Sequence, residues 1–177
     1  MRVTVCELNS EPEALEEDWA RLVRHTRAEG SALVLLPEMP FAPWFAWTNA
    51  VDAAVWRAAV DAHTRWLARL PELGVALVLG SRPVEAAGRR LNEGFVWEAT
   101  HGYRAVHHKY YLPDERGYWE ASWYERGAGG FEPAAAGPAQ VGFCICTELW
   151  FLERARAYGR QGIHLLATPR ATEKATV

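Results

Sequence analysis

The feature that most constrains the fold is a pair of short apolar runs that no polar residue interrupts. Residues 32–36 read Ala-Leu-Val-Leu-Leu and are closed by Pro37, and residues 75–79 read Val-Ala-Leu-Val-Leu. Each run is too short for a buried helix, and a strand that is apolar on both sides has to be covered on both faces. The chain is therefore predicted to place a sheet between other layers, as α/β proteins do.

An amphipathic helix is predicted before each of these strands. Ser10 and Glu13 match a capping box at the start of the first helix, and Gly30 can supply its left-handed end. Residues 52–70 repeat the same helical period, and residues 3–8 are predicted as an opening strand, which together give the order βαβα. The apolar positions of the first helix are Leu15, Trp19, Leu22 and Val23.

The second half of the chain is predicted to contain strands, one long loop and a helix. Two strands joined by a tight turn around His101-Gly102 extend the sheet as a hairpin. No period is sustained from Pro113 to Pro138, which indicates a long ordered loop of the kind that is often functional. The predicted strands are residues 91–99, 103–107, 140–145 and 163–167, and the predicted helix is residues 149–161. Without a repeat or a linker, residues 1–177 are interpreted as a single domain.

Charge and cysteine content exclude several classes of protein. The 177 residues carry a net charge of −3 that is spread along the chain, so nothing predicts a nucleic-acid or membrane-surface partner. No secretory leader or membrane-spanning run is recognised, and a cytoplasmic location is expected. Three cysteines make a poor disulfide framework and leave at least one free thiol in a reducing compartment.

Cys146 is a candidate nucleophile because of its place in the predicted elements. It lies where the strand of residues 141–145 meets the start of a helix. A helix N-terminus stabilises an anion, and the thiolate is the reactive form of cysteine. Taken alone, a cysteine on a strand is more often a small apolar core residue, so this position is not sufficient.

Glu38 and Lys109 also follow strands. Glu38 comes directly after the first apolar run and precedes an apolar segment, surroundings that raise the basicity of a carboxylate. Lys109 closes the second strand of the predicted hairpin. A glutamate in a solvated turn and a lysine at a sheet edge are the ordinary alternatives. The combination of three strand-end residues carries more weight than each of them singly.

Three separated segments, in this order, together resemble the signature of the nitrilase superfamily of carbon–nitrogen hydrolases. They are residues 35–38 (Leu-Leu-Pro-Glu), residues 108–113 (His-Lys-Tyr-Tyr-Leu-Pro) and residues 142–148 (Gly-Phe-Cys-Ile-Cys-Thr-Glu). The resemblance implies an α/β fold, a nitrilase-like αββα sandwich with four layers, in which two mixed sheets lie between outer helices. It also implies that the C-terminal part of that sandwich is missing from residues 1–177.

The resemblance further implies the roles of individual residues. Glu38 would be the general base, Lys109 the cation that stabilises the oxyanion, and Cys146 the nucleophile. Cys146 is chosen over Cys144 because the family nucleophile follows an apolar residue and has an acidic residue two positions after it. Glu120 matches a second glutamate that positions the lysine and the substrate. At the acidic position after the nucleophile, this chain has glutamate where relatives often have aspartate.

The implied reaction uses a cysteine thioester and neither a metal nor an organic cofactor. Glu38 takes the thiol proton of Cys146, and the sulfur attacks an amide, carbamoyl or nitrile carbon of a small molecule. Lys109 and the backbone N–H of Thr147 stabilise the negative charge before water hydrolyses the thioester. An amidase is favoured over a nitrilase because most branches of the family cleave amide-type bonds.

Tryptophans near the triad motifs are candidates for the wall of a substrate pocket. They are Trp44, Trp47, Trp119, Trp123 and Trp150, and for Trp44 and Trp150 a place in the core is an equal alternative. The resemblance also implies a homo-oligomer, a dimer or higher, because relatives dimerise through their helices.

Relatives continue beyond the strand predicted at residues 163–167. If residues 1–177 are the whole product, an unpaired sheet edge and uncovered apolar surface are expected. An inactive relative that serves as a binding or assembly partner, and an acyltransferase with the same triad, therefore remain as alternatives. A metal site that combines His101, His107, His108 and the nearby cysteines is disfavoured, because adjacent histidines point to opposite faces of a strand.

Overall fold

The computed structural model describes residues 1–171 and contains two mixed β-sheets. The larger sheet has the strand order β1 (Val3–Val5), β2 (Leu33–Leu35), β3 (Leu77–Ala86), β4 (Arg89–Glu98) and β5 (Gly102–His108). Its first three strands are parallel, and β4 and β5 are added antiparallel. The smaller sheet has the order β6 (Ala134–Ala136), β7 (Ala139–Phe143) and β8 (Leu165–Ala167). In it β6 and β7 are antiparallel, whereas β7 and β8 are parallel.

Four α-helices accompany the sheets. They are α1 (Pro12–Glu29), α2 (Ala53–Leu67), α3 (Glu120–Trp123) and α4 (Leu152–Arg160). Two 3₁₀ helices, Leu70–Leu73 and Cys146–Trp150, follow α2 and precede α4. Within residues 1–171, every helix is too short or too polar to cross a membrane.

The elements stack as four layers, with the two sheets inside. Because side chains alternate along a strand, Val34 of β2 faces α1 while Leu33 faces the smaller sheet. Trp19 packs in the first of these interfaces and Val141 in the second, and Tyr158 of α4 covers the outer face of the smaller sheet. The α/β sandwich of two mixed sheets that the resemblance implied is confirmed for the described residues.

Several element boundaries differ from the sequence prediction. β3 continues to Ala86 and forms an unpredicted hairpin with β4, because Ala87 and Gly88 both adopt positive φ (51° and 74°) and turn the chain there. The predicted loop of residues 113–138 contains α3 and β6. The predicted helix of residues 149–161 is divided at Phe151 into a 3₁₀ helix and α4.

The predicted capping box of the first helix is wrong. Glu11, not Ser10, occupies the N-cap of α1, and no side chain caps the helix. Pro12 occupies the first turn instead, where a missing N–H costs no hydrogen bond. Asn9 shapes the entry to the helix, since its side chain accepts a hydrogen bond from the Glu11 N–H and its own N–H donates to Asp18.

We expect the buried His63 of α2 to make the free energy of unfolding pH-dependent. Its Nδ1 contacts the Ala59 carbonyl at 2.8 Å and its Nε2 accepts from the Phe41 N–H at 3.3 Å, an arrangement that requires a neutral ring. Burial lowers the pKa of His63 from 6.5 to about 4. The unfolded chain therefore binds the proton more tightly, so stability is fully present above pH 6.5 and is lost as the pH falls towards 4.

The contribution of His63 to the free energy of unfolding is expected to fall by about 3 kcal/mol between pH 7 and pH 4, as measured by urea unfolding. His63→Gln serves as the control because it keeps a donor and an acceptor but does not titrate. As the pH falls over this range, the unmodified protein should lose more unfolding free energy than His63→Gln by that amount. Parallel pH curves for the two proteins would contradict the prediction.

Candidate active site

Glu38, Lys109 and Cys146 lie at neighbouring ends of strands. Glu38 follows β2, Lys109 follows β5 and Cys146 follows β7. The segment after β8 connects two of these ends, because the Glu38 N–H donates to the Arg170 carbonyl at 3.1 Å and the Cys146 N–H donates to the Pro169 carbonyl at 2.9 Å. The fold therefore gathers side chains that are far apart in the sequence.

The Lys109 ammonium lies between two buried carboxylates. Its Nζ donates to Glu38 Oε1 at 2.9 Å and to Glu120 Oε1 at 2.8 Å. The lysine is 0% exposed, Glu120 is 1% exposed and Glu38 is 3% exposed, so water does not weaken these pairs. Loop residues hold the end of β5 in place, since the Gly127 N–H donates to the Lys109 carbonyl at 3.0 Å. A buried charge needs partners of this kind.

The electrostatics of this cluster keep the lysine charged. Burial alone lowers the pKa of Lys109, but the neighbouring Glu38 and Glu120 carboxylates raise it by more, and the net shift is upward. The pKa of Glu120 is raised, chiefly by burial and also by the Glu38 charge, while Lys109 acts in the opposite direction. A proton is therefore held more readily on Glu120 than on an ordinary glutamate.

The thiol of Cys146 is protonated at rest. Burial raises its pKa to about 12, and the Glu38 charge adds to this effect while Lys109 opposes it. The sequence-based expectation of a stabilised thiolate at a helix N-terminus is therefore wrong, because the helix is a single five-residue 3₁₀ segment and the nearest carboxylate disfavours a second negative charge. A base has to remove this proton as the sulfur reacts.

The backbone at Cys146 has a left-handed conformation. Its φ is 46°, a region that residues with a Cβ rarely adopt and that neighbouring contacts have to maintain. Thr147, the predicted backbone donor, follows within the 3₁₀ helix, and its hydroxyl donates to the Tyr111 carbonyl at 3.0 Å. Thr147 is thus held by the segment that follows Lys109, whereas the Cys146 N–H is held by the Pro169 carbonyl.

Asn92 belongs to this cluster and was not identified from the sequence. Its Nδ2 donates to Glu38 Oε1 at 2.9 Å, and its backbone carbonyl accepts from the Lys109 N–H at 2.9 Å. Within residues 1–171, Asn92 Oδ1 and Glu120 Oε2 are buried and accept no hydrogen bond. The available signal was that Asn92 is the one amide side chain in the predicted strand of residues 91–99.

The predicted tryptophans lie in different surroundings. Trp44 lines a cavity of about 690 Å³ that opens beside Glu38. Trp123 is in the core, where its ring lies 4.7 Å from that of Phe45, and Trp150 is 71% exposed. Trp119 is half-buried, at the residue before α3, and Trp47 is exposed. Trp44 is thus the one of these five that lies in the cavity wall.

The histidines of the disfavoured metal site contact separate carboxylates. His107 Nε2 lies 2.8 Å from Glu148 Oε2, and His108 Nε2 lies 3.0 Å from Glu93 Oε2. Within residues 1–171, no three His, Cys, Asp or Glu side chains form a group that could hold a metal ion. The pairing with Glu148 was not predicted.

Comparison with protein families gives one match over almost the whole chain. The family described as carbon-nitrogen hydrolase matches residues 2–177. Among curated proteins, the N-carbamoylputrescine amidase of Arabidopsis thaliana is 30% identical over 155 residues, which are 85% of this chain and 51% of that protein. A citrullinase of Francisella tularensis is 36% identical over 66 residues, which are 37% of this chain and 23% of that protein. The chain spans about half the length of the curated amidases that it matches.

Comparison with solved structures identifies the same fold. A carbon-nitrogen hydrolase from Helicobacter pylori G27 has a TM-score of 0.76 and 22% identity, and the match covers 97% of this chain and 58% of that one. An amidase from Nesterenkonia sp. has a TM-score of 0.76 and 20% identity, with coverage of 99% and 66%. At these identities the likeness concerns the fold alone.

Proposed function

Because the chain belongs to the carbon-nitrogen hydrolase family, we propose that it carries a cysteine-dependent amidase site that cleaves a carbon–nitrogen bond of a small molecule. The single observation that carries the proposal is the buried Lys109 ammonium between Glu38 and Glu120, with the Cys146 thiol close enough for both Glu38 and Lys109 to shift its pKa. An amide is favoured over a nitrile because the matched curated relatives include proteins called N-carbamoylputrescine amidases.

The first half of the proposed reaction forms a thioester. Glu38 takes the proton of Cys146 as the sulfur attacks the carbonyl carbon, since the thiol is not ionised beforehand. Two of the three N–H groups of Lys109 donate to carboxylates, and the third is directed to the developing oxyanion together with the Thr147 backbone N–H. Glu38 returns the proton to the leaving nitrogen, and the acyl group stays on sulfur.

The second half regenerates the thiol. Glu38 removes a proton from water, the oxygen attacks the thioester carbon, and the C–S bond breaks as sulfur regains its proton. Asn92 contributes by holding Glu38 Oε1 at 2.9 Å, beside the bond from Lys109. Glu38 Oε2 accepts one longer bond of 3.4 Å from the Ala171 N–H, so Oε2 is the oxygen that we assign to proton transfer. Glu120 keeps the ammonium in place through its own bond of 2.8 Å.

The experiment that tests the proposal is mass spectrometry after acid quenching of short reactions. The panel contains primary amides, nitriles and N-carbamoyl amines, the last because curated relatives are called N-carbamoylputrescine amidases. We expect an acyl or carbamoyl adduct on the peptide that contains Cys146, with release of ammonia or an amine. Turnover without any adduct at Cys146, or an adduct on Cys6 or Cys144 instead, would overturn the proposal.

The same experiment separates hydrolysis from acyl transfer. Hydroxylamine added as an acceptor would be acylated in preference to water if the site transferred its acyl group. We expect the free acid to remain the main product at low acceptor concentration, because in the proposed reaction Glu38 activates water at the thioester. A product that forms only when an amine is present would assign the site to transfer.

A further inference from the structure

A buried carboxylate connects the backbone beside Cys146 to the backbone beside Lys109. Glu148 Oε1 accepts from the Tyr110 N–H at 2.8 Å, and Glu148 Oε2 accepts from the Ile145 N–H at 2.8 Å. Tyr110 is the residue after Lys109, and Ile145 is the residue before Cys146. The Glu148 side chain is 0% exposed, so water does not compete for either bond. One side chain therefore holds the two strand ends together.

His107 completes this arrangement from the lysine-bearing strand. Its Nε2 lies 2.8 Å from Glu148 Oε2, and because an ionised carboxylate only accepts, Nε2 carries the proton. The ring fits because Gly94 lies opposite it, where a Cβ would come within 3.3 Å of His107 Cβ and 3.0 Å of Phe143. Glu148 thus contacts β5 through the His107 side chain and the segment after β5 through the Tyr110 backbone amide.

We propose that Glu148 and His107 are positioning residues, which fix the placement of the Cys146 thiol relative to the Lys109 ammonium. This inference rests on the proposed amidase function. Glu148 spans from one strand end to the other, and the left-handed backbone at Cys146 needs such support because its φ of 46° is unfavourable for a residue with a Cβ. A displacement of about 1 Å at a catalytic group costs on the order of 100-fold in rate.

A purely structural role is the competing explanation, and the chain contains a matched control for it. Glu93 also pairs a buried carboxylate with a histidine, since its Oε2 lies 3.0 Å from His108 Nε2. His108 is the residue after His107, but Glu93 contacts Arg82 and Tyr103 rather than the backbone beside Cys146 or Lys109. Glu93→Gln therefore disrupts a similar carboxylate–histidine pair, which lies next to Asn92 and Lys109 in the chain but whose carboxylate bonds to Arg82, Tyr103 and His108 instead of bridging two strand ends.

The test compares Glu148→Gln with Glu93→Gln in the whole chain. An amide group accepts through one oxygen only, so Glu148→Gln loses one of the two backbone hydrogen bonds. We expect kcat to fall by about 100-fold with KM within about twofold, whereas Glu93→Gln keeps kcat within about twofold although its melting temperature also falls. Equal kcat values for the two variants, per folded molecule by circular dichroism, would overturn the inference.

A second readout keeps the inference separate from the proposed function. The rate at which iodoacetamide alkylates Cys146, measured on its peptide, reports the placement of the thiol beside Glu38 whether or not an amide is hydrolysed. We expect Glu148→Gln to slow this alkylation by about tenfold and Glu93→Gln to leave it unchanged. If the unmodified chain hydrolyses nothing but this difference is found, the amidase proposal fails and the positioning role stands.

If Glu148→Gln does not fold, a pair of variants at His107 tests the positioning role instead. His107→Gln keeps an N–H donor for Glu148 Oε2, whereas His107→Leu removes it and leaves both backbone bonds in place. We expect His107→Leu to slow both kcat and Cys146 alkylation by about tenfold and His107→Gln to restore most of each rate. Equal rates for the two variants would overturn the inference.

Discussion

Replacement of Cys146 by alanine is expected to reduce kcat/KM for the best amide substrate by about 10⁴-fold or more. The reason is that the covalent route requires a sulfur beside Glu38 and Lys109, and Cys146 supplies it. The loss should appear in kcat, measured as ammonia release, because no bond forms to the thiol before attack. The melting temperature should change little, since the side chain is small and half-buried.

Cys144 is the matched control for this variant. It lies two residues earlier, is fully buried and packs against Tyr158 on the far side of the smaller sheet. Cys144→Ala should therefore destabilise the fold by about 1 kcal/mol through a small cavity but keep kcat/KM within about threefold. If Cys144→Ala abolished activity and Cys146→Ala did not, the assignment of the nucleophile would be wrong.

The three strand-end residues could be proposed from the sequence because each follows a strand pattern, although no one of these patterns was sufficient alone. Glu38 ends an apolar run that only a buried strand explains, and the strands before Lys109 and Cys146 are nearly as distinct. Strands of a sandwich end at its rim, so the local pattern also indicates where the side chains lie. Their order in the chain, taken with the resemblance, was sufficient to group them.

The unpredicted parts of the site depend on register and burial, which local patterns do not contain. Asn92 lies beside Lys109 because β4 pairs with β5 in one particular register, which shifts between Gly94 and Phe95, and its Nδ2 donates to Glu38 from there. The protonated state of Cys146 follows from burial and from the adjacent carboxylate, not from its place before a helix. The role of Glu148 likewise requires knowing that Tyr110 and Ile145 come within reach of one side chain.

The tryptophans also show that local sequence patterns do not determine where a side chain lies. Tryptophans close to the triad motifs in sequence were predicted to wall the substrate pocket, but Trp123 packs in the core and Trp150 is exposed. Proximity along the chain does not determine the direction in which a large side chain points, because strand and helix ends project in different directions. Trp44 lines the cavity beside Glu38, and its Nε1 donates to the Gly117 carbonyl at 3.0 Å, a contact that the sequence does not indicate.

Lys109→Met is expected to cause large losses of both activity and stability. It leaves Glu38 and Glu120 buried without the ammonium that binds them at 2.9 and 2.8 Å. Removal of one partner from a buried ion pair costs about 3 to 5 kcal/mol, and the lost oxyanion donor costs on the order of 10³-fold in kcat. Urea unfolding and ammonia release at pH 7 measure the two effects on the same preparation.

The stability loss in Lys109→Met should depend on pH in a defined direction. Burial already raises the pKa of Glu120 with the lysine present, and the pKa rises further when the attraction to Lys109 is removed. A carboxyl group whose pKa is raised in the folded state favours folding below its unfolded pKa of 4.5 and loses that contribution as the pH rises through its folded pKa. The difference in unfolding free energy from the unmodified chain should therefore be larger at pH 8 than at pH 5.

A double variant separates the two roles of the lysine. Lys109→Met combined with Glu120→Gln removes one of the two unpaired carboxylates, so part of the lost stability should return, together with much of its pH dependence. Activity should not return, because neither substitution restores a cation near the Cys146 sulfur. If Lys109→Met were as stable as the unmodified chain at pH 8, the buried ion-pair cluster would not exist in solution. If the double variant regained activity along with stability, the lysine would serve only to neutralise Glu120.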